Sequence, residues 1–199
     1  MFKILDGVCT PKRGTKYSAY VDLFAREDVT IAAGKTKIVK LGIKLDMDFF
    51  ESMFNPDKLD FKTAKVGGLY SDDELRIQKH QLHNFLKSHY LEIALRSSLG
   101  VKGLIIANGI GIIDLDYPDE IGLIVHNPLK PYELNEPDID ESHYELVSES
   151  DSYLIIKGDK VAQCTLKEHK GYLMGYETET LRTGGFGSTD NKELLNTDG

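Results

Sequence analysis

The sequence predicts an all-β chain of short strands carrying one inserted α-helix around residues 71–89. Apolar and β-branched residues come in short runs, as in Val29 to Ile43 (VTIAAGKTKIVKLGI) and Val101 to Val125 (VKGLIIANGIGIIDLDYPDEIGLIV). Turn-forming pairs cut these runs at intervals of a single strand: Ala33-Gly34, Asn108-Gly109 and Tyr117-Pro118. Only one stretch carries a helical repeat. Short strands so spaced point to a sandwich, jelly roll or barrel rather than to βαβ units.

Composition narrows the class. In 199 residues, 41% are hydrophobic and 28% charged, the profile of a soluble chain with one sizeable core. Thirty-two acids against 24 bases give a net charge of -8, which disfavours tracking a nucleic-acid backbone yet leaves room for a small phosphorylated ligand held by a few local cations. No apolar run approaches the roughly 18 residues that suggest a membrane span. The opening MFKILDGVCTPKRGTKYSAY lacks a leader pattern. Cys9 and Cys164 lie far apart without metal-ligand spacing, so reduced thiols in a cytoplasmic setting (a host's, if the chain is viral) are expected.

Taken in order, Tyr17 to Leu23 (YSAYVDL) sets Asp22 among small and apolar residues, where a lone Asp also serves as a turn-former. Asp48 to Tyr70 reads as irregular, with Asn55-Pro56 and Gly67-Gly68 as breakers. In Ser71 to Tyr90, Ser71 and Glu74 suit a capping box, and Leu75, Gln78, Leu82, Phe85, Leu86 and His89 follow the helical repeat. Residues 47–89 therefore read as an insertion carrying a docked helix, which could also face a protein partner. His80 and His83 are three apart on that helix, but without a third ligand at suitable spacing a solvated face is the better reading. Residues 128–152 form an acidic, Pro-interrupted loop, and residues 182–199 a mobile Gly-rich tail, so the chain is one domain with two additions.

Five stretches combine glycine, hydroxyls, cations or carboxylates. Arg96-Ser97-Ser98-Leu99-Gly100 follows an apolar strand and fits a polyphosphate cradle or an ordinary strand end. In Gly111 to Tyr117 (GIIDLDY), strand alternation puts Asp114 and Asp116 on one face, where a carboxylate could act as general base. Asn108-Gly109 just before it is a strong hairpin signal. Gly158 to Gln163 (GDKVAQ) reads as a tight turn entering a strand, with Gln163 pointing inward or to a ligand. Arg182 to Thr189 (RTGGFGST) suits a phosphate loop with Phe186 free to meet a planar base, or a plain Gly-rich tail.

In this order, SAYVDLFA, LRSSLG, NGIGIIDLDY, GDKVAQ and RTGGFGSTD resemble the motif series of the trimeric dUTP pyrophosphatase (dUTPase) family, from about Ser18 to Asp190. The resemblance implies a dUTPase-like jelly roll of the β-clip type. It implies a homotrimer with shared active sites that hydrolyses dUTP to dUMP and pyrophosphate. Such an activity limits uracil incorporation into DNA and supplies dUMP for thymidylate synthesis. Mg²⁺ spanning the triphosphate is the implied cofactor, and neither nucleic acid nor membrane is an expected partner. The resemblance assigns Asp114 as the residue that deprotonates the attacking water. Asp22 supports the hydrated metal through water, and Gln163 lies near the α-phosphate. Arg96, Ser97 and Ser98 hold phosphates, as do Arg182, Ser188 and Thr189 of the tail. Asn108, Gly111, Ile113, Tyr117 and Phe186 form the uracil and deoxyribose site, with Tyr117 leaving no room for a 2′-hydroxyl.

The chain departs from the family pattern at four places. Ser98 stands where glycine is usual, Pro118-Asp119 follows Tyr117 where a glycine is usual, only Thr183 separates Arg182 from Gly184-Gly185, and Asp190 replaces a frequent glycine. The related dCTP deaminases need a glutamate ten residues after the third-motif aspartate. Here that residue is Ile124, which cannot shuttle protons.

Overall fold

The computed structural model describes residues 1–54, 72–130, 151–175 and 184–185. Twelve strands are found among them: β1 (Phe2–Ile4), β2 (Lys12–Arg13), β3 (Val21–Phe24), β4 (Val29–Ile31), β5 (Thr36–Lys40), β6 (Ile43–Leu45), β7 (His89–Leu95), β8 (Ile105–Ile106), β9 (Gly111–Asp114), β10 (Gly122–His126), β11 (Tyr153–Ile155) and β12 (Lys160–Glu168). Three helices interrupt them, α1 (Met47–Met53), α2 (Asp72–Ser88) and the single turn α3 (Ser97–Gly100). Every strand pairing among the described residues is antiparallel, and the strands form a five-stranded sheet in the order β2-β3-β12-β7-β9, a three-stranded sheet β5-β10-β8, and the pairs β1-β6 and β4-β11. This is an all-β fold of the jelly-roll type, as the spacing of turns predicts.

One core joins the sheets. Leu23, Ala162, Cys164, Leu91 and Ile93 turn inward from the large sheet and meet Val39, Leu123 and Val125 of the smaller one, with Leu41, Ile43 and Phe50 closing the end. At about 25 cal/mol per Å² of apolar surface, these aliphatic side chains supply the main favourable term in folding. The alternation leaves the other face of the large sheet polar. Along it lie Asp22, Gln163 and Ala94 in one cross-strand row, then Thr165, Glu92 and Ile112, then Lys167, Tyr90 and Asp114. Gly111 is required by close approach: an added Cβ would stand 3.0 Å from the Cβ of Ile93 on the neighbouring strand.

α2 matches the expected helix to within a residue at each end, while the proposed cap, Ser71, lies outside the described residues. It docks by its C-terminal half. Leu82, Phe85 and Leu86 pack on the core, and Phe85 meets Phe50, Phe54 and the stacked ring of His89. Leu75 and Ile77 of its first half are exposed. His80 bonds to Asn84 on the exposed side, as expected for a solvated face. No helix among the described residues is long and apolar enough to cross a membrane.

Three local expectations need correction. The stretch from Asp48 contains α1, whose Phe50 is fully buried; a seven-residue helix is too short to show a repeat in the sequence. Asn108-Gly109 is a corner between sheets rather than a hairpin turn, because β8 pairs with β10 whereas β9 pairs with β7. Gly109 still supplies the positive φ, 75°, that the corner needs. Asp116 does not share a strand face with Asp114, since β9 ends at Asp114 and Asp116 lies in the following turn.

The acidic loop is described only at its base, where buried Asn127 donates to the carbonyls of Ile31 at 3.1 Å and Asp151 at 2.9 Å. That amide fastens the two ends of the loop to the edge of β4.

Candidate active site

The sheet register brings the first, second and fourth motifs together. Asp22 on β3 is opposite Gln163 on β12, which is in turn opposite Ala94 on β7, and Arg96 follows directly from that strand. The Asp22 carboxylate is 5% exposed and is held by two cations: Arg96 Nη1 donates to Oδ1 at 2.6 Å, and Lys160 Nζ stands 3.2 Å from Oδ2. Burying a charge so deeply is costly unless it is paired in this way. The backbone N–H of Arg96 donates to Val161 O at 3.0 Å, tying the start of the Ser97 turn to β12. Ser97 and Ser98 stand exposed on α3, free of the core, while Leu99 anchors that turn beneath them.

The third motif builds a separate feature. Asn108, Gly111, Ile113 and Tyr117 line a cleft of about 170 Å³ with Ile93, Leu123 and Ile124. Its size and mostly apolar walls suit a planar ring. Tyr117, one of its walls, is buried. The described part of the Gly-rich stretch comes to the same place, for Gly185 lies against the Tyr117 ring. Arg182, Phe186, Ser188 and Thr189 lie outside the described residues.

Asp114, exposed at the end of β9, is not beside Asp22. It is opposite Tyr90, whereas Asp22 is three strands away and level with Ala94. Four residues along a strand and three strand spacings across a sheet separate the two carboxylates by about 20 Å. A single chain thus carries two part-sites on one sheet face.

Between them sits Glu92, buried on β7. The Tyr20 hydroxyl donates to its Oε1, Tyr90 donates to Oε2 at 3.1 Å, and Lys167 Nζ is 3.7 Å away. The Tyr20 hydrogen bond, more than any other contact, holds the Glu92 carboxyl below the usual glutamate range and keeps the Tyr20 phenol above its own.

Comparison with known proteins decides the kinship. The dUTPase (deoxyuridine 5′-triphosphate nucleotidohydrolase) of Rickettsia felis is 27% identical over 187 residues, covering 90% of this chain and 86% of that protein. The Lactococcus lactis enzyme of the same name is 26% identical over 194 residues, covering 92% and 89%. The chain is homologous to the dUTPases. Its fold matches the crystal structure of the Streptococcus mutans dUTPase with a TM-score of 0.51 at 20% identity, over 85% of this chain and 95% of that one. It also matches a dUTPase of phage phi11 of S. aureus, with a TM-score of 0.53 at 16% identity over 94% and 98%; that structure reveals a structural Mg(II) ion. No family model matches the chain.

The homology leaves the metal question to the residues present. Among the described residues no three carboxylates, histidines or cysteines cluster as a metal cage. Asp22 already shares each of its oxygens with a cation. Each oxygen keeps a second lone pair, so the donor set fits a hydrated Mg²⁺ carried by substrate phosphates and bonded to Asp22 through water.

Two contacts escape a reading of the sequence. Lys160 is indistinguishable there from a hairpin lysine, because nothing in GDKVAQ reveals the irregular pairing that turns it towards Asp22. The Gly185–Tyr117 contact joins residues 68 positions apart, and only the adjacent glycines hint at a close approach.

Proposed function

We propose that the chain hydrolyses dUTP to dUMP and pyrophosphate in the cytoplasm, which limits uracil incorporation into DNA and supplies dUMP for thymidylate synthesis. The observation that carries this reading is that β9, the strand walling the ring-sized cleft, ends in Asp114. A uracil seated by the corner at Asn108 would direct its sugar towards Tyr117 and its phosphates out past Asp114.

Asp114 takes the proton of the attacking water, raising the nucleophilicity of its oxygen towards the α-phosphorus. Gln163 orients that water by hydrogen bonding. Arg96, Ser97 and Ser98 hold the phosphate chain and offset the charge that builds on the leaving pyrophosphate. Arg182, Ser188 and Thr189 are assigned to the far end of that chain, and Phe186 to the exposed face of the base. Bound Mg²⁺ supplies charge neutralisation along the triphosphate, and Asp22 accepts hydrogen bonds from its water shell.

A distance of about 20 Å between Asp114 and Asp22 on one chain is too long for one phosphate chain to engage both, so their joint action calls for a second copy. The resemblance to the trimeric dUTPases supports three copies, and we assign a homotrimer in which Asp114 of one copy works with Asp22, Arg96 and Gln163 of its neighbour. Light scattering should return three times the 22.3 kDa chain mass.

Incubation with dUTP, dCTP or UTP plus Mg²⁺, followed by product identification, tests the reading. Release of dUMP and pyrophosphate from dUTP, with dCTP and UTP left intact, is the expected result. Formation of dUTP or dUMP from dCTP would establish a deaminase instead. Against that second reading, Ile124 lines the cleft where deamination needs a glutamate.

A further inference from the structure

We infer that Lys160 is a positioning residue that remains as the counterion of Asp22 when Arg96 turns to the phosphate chain. The inference rests on the proposal above that the site takes a deoxynucleoside triphosphate.

The register of β12 against β3 shifts between Lys160 and Ala162: Ala162 is opposite Leu23, yet Lys160 is opposite Phe24. Regular pairing would place Val161 opposite Phe24 and turn Lys160 to the core side of the sheet. The bulge spends one residue, with Val161 fully buried, and so returns Lys160 to the face that carries Asp22. On its other side Val161 keeps the regular register with β7, where its carbonyl accepts from the Arg96 N–H. The bulge on one side and the regular ladder on the other thus bring both cations to one carboxylate.

The two cations are not equivalent. The Arg96 guanidinium gives Nη1 to Asp22, while its buried Nε–H has no hydrogen-bond partner among the described residues. A buried donor left unmatched is costly, and a planar fork with one arm spent and another unmatched is suited to an incoming phosphate oxygen. Moving Arg96 towards that oxygen would leave Asp22, 5% exposed, short of a cation. Lys160 makes the move tolerable. Its ammonium is a compact point charge on the second carboxylate oxygen, on a side chain that is half exposed and able to follow Asp22. Lys12, the other cation on this part of the face, stands over the Phe24 ring at 5.6 Å and does not replace it.

Lys160→Met and Lys160→Arg test this, with titration calorimetry in EDTA using the non-hydrolysable α,β-imido analogue of dUTP and, separately, deoxyuridine. Lys160→Met should bind the analogue about tenfold more weakly and raise KM for dUTP by a similar factor, with kcat changed less than about threefold. Deoxyuridine affinity should be unchanged, and Lys160→Arg should restore analogue binding to within about threefold of the parent. Unaltered analogue binding by Lys160→Met would overturn the inference. So would an equal loss of deoxyuridine binding, which marks a general disturbance of the fold. If the Met variant does not fold, Lys160→Gln is read by the same criteria. Absence of dUTP turnover by the parent protein would instead overturn the proposed function, and this inference with it.

Discussion

Gly185 lies flush against the aromatic ring of Tyr117: an added Cβ would overlap Cε2 and stand 2.6 Å from the hydroxyl oxygen. No side chain fits there unless the backbone or the ring moves. The contact joins the described part of the Gly-rich stretch to a wall of the ring-sized cleft. Gly185→Ala should therefore lower kcat/KM for dUTP about tenfold, roughly 1.4 kcal/mol of transition-state stabilisation. Its melting temperature should also fall modestly, because the Tyr117 ring that the new methyl meets belongs to the core cluster. Steady-state kinetics beside a thermal melt measures both.

Tyr117 itself is buried, and its hydroxyl donates to the Glu120 carbonyl at 3.4 Å. The ring, more than the hydroxyl, fills the space. Tyr117→Phe should preserve discrimination between dUTP and UTP, whereas Tyr117→Ala should admit UTP and cost about 3–5 kcal/mol of stability. The ratio of kcat/KM values for the two nucleotides, with urea melts, separates the two effects. Equal discrimination by all three proteins would remove Tyr117 from the sugar site.

Asp114→Asn keeps the shape of the strand end and removes the base. Turnover should fall by about 10²–10⁴, with binding of the imido analogue retained. Normal turnover would exclude Asp114 as the proton acceptor.

Glu92 gives the fold an acid limit. Its carboxyl is held below the ordinary glutamate range, chiefly by the Tyr20 hydroxyl, so the unfolded chain binds the proton more readily than the folded one. The stabilisation is complete above the ordinary value of about 4.3 and is lost as pH falls through the lowered folded value. Tyr20→Phe removes the largest contribution to that shift. Urea melts across about pH 3 to 7 should show a flatter dependence of stability on pH than in the parent. An unchanged slope would mean that Tyr90 and Lys167 suffice.

Burial pushes the Cys164 thiol up to about 12, and Cys9 is raised in the same direction. Both are free and buried. Iodoacetamide at about pH 8 should leave both unmodified in the folded protein and alkylate both in urea, because the thiolate is the reacting species. Mass spectrometry of the intact chain gives the count.

Much of this architecture is legible in the sequence because local chemistry and tertiary structure agree. Turn pairs fall between strands, and the helical repeat of Leu82, Phe85 and Leu86 is the face that docks. The five motifs name residues that the register then aligns, Asp22 with Gln163 above all. What stays hidden depends on pairing between distant strands. Asn108-Gly109 carries the same residues whether its flanking strands pair with each other or with two different sheets. Lys160 changes face through a bulge that no residue type in Gly158 to Gln163 betrays. Glu92 reads as a surface residue of a strand until Tyr20, 72 positions away, is brought to it. The separation of Asp114 from Asp22 is likewise a property of strand order, which motif order does not contain.

That separation bears on inheritance as well as on chemistry. If catalysis draws Asp114 from one copy and Gln163 from another, two dead alleles need not make a dead cell. Mixed assemblies of Asp114→Asn chains with Gln163→Ala chains would hold some sites that receive an intact residue from each parent. Co-expression should then recover part of the activity that either variant lacks alone, while a chain bearing both changes should silence the two sites it shares and leave the site between two wild-type neighbours active.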